Sequence, residues 1–137
     1  MAIRTRRGAK LAFTRAINKM AAILAEEPYF EPPTFRHHRD LAEAASRYID
    51  GRDLEIANAR LDLANAHYHV RMAFFAERNA REEYLPLTAG YADPRVPYVA
   101  EAQRRVQEAE QEHRAAKVRM EAAQRALDAL LTQEEAA

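Results

Sequence analysis

Glu110 and His113 stand three residues apart, the Glu-x-x-His spacing that sets two metal ligands on one helix face in carboxylate-bridged di-iron bundles. Such a centre needs a second pair and further inward carboxylates. The other histidines do not supply it: His67 and His69 are two apart and diverge on a helix, while His37 and His38 sit among Arg36 and Arg39. Those two suit solvent or phosphate better than a metal. Nucleophilic catalysis is poorly provided for, because Ser46 is the only serine and has no local motif around it. Phosphate-cradling loops need clustered glycines, whereas Gly8, Gly51 and Gly90 are isolated. With no cysteine, disulfides, thiolate metal sites and a cysteine nucleophile are excluded. The expectation is a protein that is not an enzyme, with no catalytic residues, metal or cofactor.

The remaining chemistry is charge. Residues 1–19 hold six Lys and Arg (Arg4, Arg6, Arg7, Lys10, Arg15 and Lys19) and no acid, which leaves 15 basic and 21 acidic residues in the rest, a net of −6. A basic end of this kind can contact nucleic acid phosphates without reading sequence, an acidic membrane surface, or the acidic flank of a neighbouring copy. The longest uncharged apolar run, Met20 to Ala25, is far too short to span a bilayer, and no continuous apolar segment of a secretory signal follows the basic start. A soluble protein of the virion or cytoplasm is expected.

Helices must position these groups. All six prolines fall in two windows, Pro28 to Pro33 and Pro86 to Pro97, dividing 1–137 into three helical segments of one all-α domain. These are a basic N-terminal helix within 1–27, a long helix over 34–84 and a second long helix over 94–134. In the first, Phe13, Ile17, Met20 and Leu24 share a face. The second keeps its register through Ile49, Arg52 and Ile56, so the spacing predicts that it continues across Gly51. In the third, Asp93-Pro94 supplies a capping side chain and a first-turn proline, although Pro97 can delay the start.

Alanine recurs at seven-residue intervals in both long segments. Folding the chain about residue 91 sets Ala59 level with Ala123, Ala66 with Ala116, Ala73 with Ala109 and Ala80 with Ala102. That is the pattern of a long antiparallel helical hairpin with an alanine-rich coiled-coil seam. It also brings His69 level with His113, an imidazole pair that protonation near pH 6 would push apart. A second stripe, Leu54, Leu61, Tyr68 and Phe75, lies nearly opposite the seam and calls for a second partner, the N-terminal helix packed alongside. That helix is short. Tyr68, Phe74 and Phe75 should therefore remain uncovered as a protein interface.

The run from Arg6 to Lys19, Arg-Arg-Gly-Ala-Lys-Leu-Ala-Phe-Thr-Arg-Ala-Ile-Asn-Lys, followed by a long charged helical segment, resembles the amino-terminal region of Gag-like polyproteins of BEL/Pao-type retroelements. The likeness covers little more than the first helix. It implies an assembly segment associated with nucleic acid, in which Arg6, Arg7, Lys10 and Arg15 contact RNA. Taken together, the expected function is non-enzymatic and structural: a self-associating helical hairpin within a virion or other multi-subunit particle. A nonspecific nucleic-acid binder and a protein-binding adaptor are the alternatives.

Overall fold

The computed structural model of the chain describes residues 6–26, 33–88, 93 and 95–136, and these form four α-helices with no strand among them. They are α1 (Arg6–Glu26), α2 (Pro33–Ser46), α3 (Gly51–Thr88) and α4 (Pro97–Ala136). The helices associate as a short pair, α1 with α2, and a long pair, α3 with α4, joined through lighter contacts of α1 and α2 on α3. At a rise of about 1.5 Å per residue, α3 and α4 are each roughly 60 Å long. No helix is long and apolar enough to cross a membrane among the described residues.

The expected helix over 34–84 is two helices. Backbone amides of Arg47, Tyr48 and Ile49 bond back to the carbonyls of Ala44, Ala45 and Ser46, which tightens and ends α2. The Ser46 hydroxyl donates to the carbonyl of Glu43 at 2.6 Å, a local bond that competes with continuation of the helix. Gly51 then takes φ +60°, the left-handed region, and the carbonyl of Asp50 accepts the Leu54 amide to start α3. The register through Ile49 and Ile56 is real but serves two separate contacts. Ile49 is buried with α1 and α2, whereas Ile56 is buried with Leu127 of α4.

The larger core lies where the short pair meets α3. From α1 come Ala9, Phe13, Ala16, Met20 and Leu24; from α2 Phe35, Ala42 and Ala45; from α3 Ala57, Leu61 and Tyr68. The stripe Leu54, Leu61, Tyr68 thus has its partner, but in α1 and α2 together rather than in α1 alone. Phe35 is 1 % exposed, and its ring stacks on Tyr68 with centroids 4.7 Å apart and planes 16° from parallel. Tyr68 is therefore buried, which corrects its assignment to an exposed interface.

The α3–α4 contact is thinner. Ile56, Ala59 and Leu127 form a small buried group backed by Leu63, Leu130 and Leu131. Of the seam alanines, Ala59 and Ala116 are buried, and the other six are half-buried. Contacts between the helices join rising numbers on one to falling numbers on the other: Arg52 donates to the carbonyl of Leu130 at 3.0 Å, and Gln103 donates to the Tyr84 hydroxyl at 2.6 Å. Helix α4 begins at Pro97, with the carbonyl of Val96 accepting the amides of Val99 and Ala100. Asp93 closes the preceding turn instead, accepting the Arg95 amide at 2.9 Å.

Phe35 is almost wholly buried in this cluster and stacks on Tyr68 of α3, so Phe35→Ala should cost about 3–5 kcal/mol of unfolding free energy. Urea denaturation followed by circular dichroism measures it. A loss below about 1 kcal/mol would show that the cluster can collapse around the missing ring.

Candidate functional site

Helix α3 is covered on two sides and open between them. Its Leu61–Tyr68 stripe faces α1 and α2, and its Ile56–Leu63 stripe faces α4, yet α4 makes no contact with α1 or α2 among the described residues. The result is a groove of about 1070 Å³. One wall is α1, through Ile17, Ala21, Leu24 and Ala25; the other is α4, through His113, Lys117, Leu127 and Leu131. The floor is α3, contributing Arg60, Leu63, Ala64, His67, Val70, Arg71, Phe74 and Phe75. Most of this lining is apolar. Its charged and titratable members are all basic.

The expected interface residues divide accordingly. Phe74 is 48 % exposed and Phe75 half-buried, both lining the groove, their rings edge to face at 5.3 Å. Tyr68 lies beneath, in the core. Three further residues belong to this site that the sequence reading passed over: Arg60, Arg71 and Lys117. Arg60, Ala64, His67, Arg71 and Phe74 step by four, three, four and three residues, a helical stripe in its own right. The signal was present, but it lay between two stronger apolar stripes.

The basic N-terminal residues are not gathered into one site. Arg4 lies outside the described residues, and Arg6 opens α1 with a side chain that also lies outside them. Arg7, Arg15 and Lys19 are exposed. Lys10 is paired with Asp53 of α3 at 3.3 Å, which ties α1 to α3 and lowers its availability to phosphate. A different gathering appears where α2 passes α1: His38 has a lowered pKa, through its burial first and then through His37 and Lys19. Lys19, His37 and His38 thus lie close together across two helices, and the lowering favours the uncharged form of His38.

His113 does not meet His69. Side chains on a helix lean toward its N-terminus, so residues set level by folding the sequence need not touch. His113 Nδ1 lies 2.6 Å from Glu77 Oε2, and its ring stands edge-on to Phe74 at 5.8 Å. His69 is exposed, edge-on to Tyr68. Glu77 also accepts from Arg81 at 3.0 Å, and Arg81 bonds in turn to Glu110 of α4. The Glu-x-x-His residues are thus engaged in an ion network between α3 and α4, and no group of three metal-ligating side chains converges among the described residues. The bond from His113, with Arg81 adding to it against the opposing effect of burial, holds the Glu77 carboxyl below its ordinary 4.5.

The loosening expected from a His69–His113 pair has no basis in the structure, because what His113 meets is the Glu77 carboxylate. Glu77 has a folded-state pKa below its unfolded value, so its contribution is complete above about pH 4.5 and is lost as pH falls through the lowered value. Thermal melts should hold from pH 8 to about pH 5 and decline below, and Glu77→Gln should remove roughly 1 kcal/mol at neutral pH while flattening the acid limb. A fall in melting temperature centred near pH 6 in the wild type would contradict this pairing. Comparisons with protein-family models, curated proteins and solved structures return no match to this chain.

Proposed function

We propose that the chain is a non-enzymatic structural protein that self-associates and takes up further subunits inside a virion or other multi-subunit particle. The observation that carries this reading is the groove: apolar surface of α1, α3 and α4 faces one open trough that none of the four helices fills. Exposed apolar surface concentrated in one concave place marks an interface more strongly than scattered exposed residues do. The long α3–α4 pair supplies a stiff antiparallel hairpin as scaffold, and α1 closes one side of the trough. The resemblance of residues 6–19 to the Gag-like amino-terminal region is what points to a virion-type particle rather than another assembly.

Light scattering on the purified protein tests it. The native mass should exceed the 15.6 kDa of one chain. A monomer at every concentration up to about 1 mM would overturn self-assembly, because even an interface of a few kcal/mol is populated there.

Nucleic-acid binding is a second reading, favoured by Arg15 and Lys19, both exposed and one helical turn apart on α1. Contacts of this kind are to phosphate, so binding to single-stranded RNA should fall steeply with salt. Replacing Arg15 and Lys19 by Glu should weaken binding and reduce the slope of log K against log salt by about two. A salt-independent affinity would discard this reading.

A further inference from the structure

The groove specifies the chemistry of what fills it. We propose that its occupant is an amphipathic α-helix of a partner protein, apolar on the side that enters the groove and flanked by Asp and Glu; this rests on the reading of the groove as an interface. Shape comes first. The floor runs along α3 from Arg60 to Phe75, about 22 Å or some four helical turns. Its walls are two helices that both rest on α3 without touching one another. A further helix laid in that valley packs on three neighbours, as an added member of a bundle does. Small-molecule sites enclose most of the surface of their ligand, whereas this one is open along its length.

Charge then selects the helix. Every titratable side chain in the lining is basic: Arg60, His67 and Arg71 from the floor, His113 and Lys117 from the α4 wall. The chain beyond residue 19 is net acidic, so composition alone would favour the opposite sign. The sorting is clearest on α3. There Arg60, His67 and Arg71 line the groove, while Glu55 and Asp62, seven residues apart, lie outside its lining and are exposed. Arg60 and Lys117 are exposed and hold no ion pair among the described residues, so they can take carboxylates from an incoming helix. Leu63, Val70 and Phe74, at intervals of seven and four, offer the apolar stripe that such a helix would cover.

The partner is a different protein. On this chain α2 and α4 mix both signs over their exposed faces, as with Arg104, Arg105 and Glu108 on α4 and Arg36, Asp40 and Glu43 on α2, and among the described residues neither shows a uniformly acidic apolar face. Like-signed flanks would set the register and exclude basic helices, with the apolar contact supplying most of the affinity.

Fluorescence anisotropy with two labelled peptides tests the proposal on the full chain. Each peptide has about 16 residues, long enough for the α3 floor, with Leu at positions one, four, eight, eleven and fifteen. One carries Glu on the flanks and the other carries Lys at the same places. The Glu peptide should bind at least about tenfold more tightly. The charge-swapped double variant Arg60→Glu/Lys117→Glu should reverse that order, a gain of binding that a merely unfolded variant cannot produce. Equal affinity for both peptides, or no reversal in a double variant of unchanged helicity, overturns the proposal. Binding of palmitate but of neither peptide overturns it also, in favour of an acyl ligand. Oligomers in light scattering without peptide binding would sink this inference and leave the assembly reading standing; a monomer that binds the Glu peptide would do the reverse.

Discussion

A helix with two apolar stripes on opposite sides cannot be satisfied by one neighbour, and this constraint on α3 organises the molecule. Leu61 and Tyr68 need one partner surface, Ile56 and Leu63 another, and burial of each set contributes on the order of a few kcal/mol. The short pair takes one side and α4 the other. Because the two partners sit on opposite sides of a rod about 10 Å across, they do not reach each other. The open valley between them is therefore a consequence of how α3 is stabilised, not an accident of loose packing. The same geometry decides that the residues between the stripes, Arg60, His67 and Arg71, line a trough and not a core.

Much of this was legible in the sequence, and the failures have physical causes. Proline placement separated α1 from α2 and α3 from α4, and the period of seven in Ile56, Leu63 and Val70 marked one face of α3. The break at Arg47 to Asp50 was hidden because hydrophobic spacing runs through it unbroken. Periodicity reports which side a residue faces, and a tight turn that restores the same phase leaves no trace in it. What betrays the break is local chemistry: a serine able to bond back to its own helix and a glycine able to take a positive φ. Once the turn exists, Phe35 can lie on Tyr68, and the aromatic residue that looked exposed becomes core.

The site was less legible than the fold. Phe74 and Phe75 were found because large apolar residues beyond the reach of a short helix stand out. The basic side chains around them were not, since residues between two apolar stripes read as ordinary solvated surface until the neighbours on both sides are placed. The histidine pairing failed for a directional reason. Level backbones do not imply touching side chains when both helices tilt their Cβ bonds toward their own beginnings. A carboxylate two turns along from His69 was the true neighbour of His113. That contact belongs to a chain of ion pairs from α3 to α4, where thin alanine packing supplies little apolar area and polar side chains take up part of the work of holding two rods together.

The turn at Arg47 to Asp50 also shapes how the chain reaches this state. It makes every extensive helix contact one between consecutive helices, first with second and third with fourth. Loops that join such neighbours close at small entropic cost, and topologies built from nearby partners cross their barriers quickly. Consecutive helices can therefore find each other early. A nascent chain leaving the ribosome would bring its first two helices together early and complete their shared core once Leu61 and Tyr68 of α3 arrive.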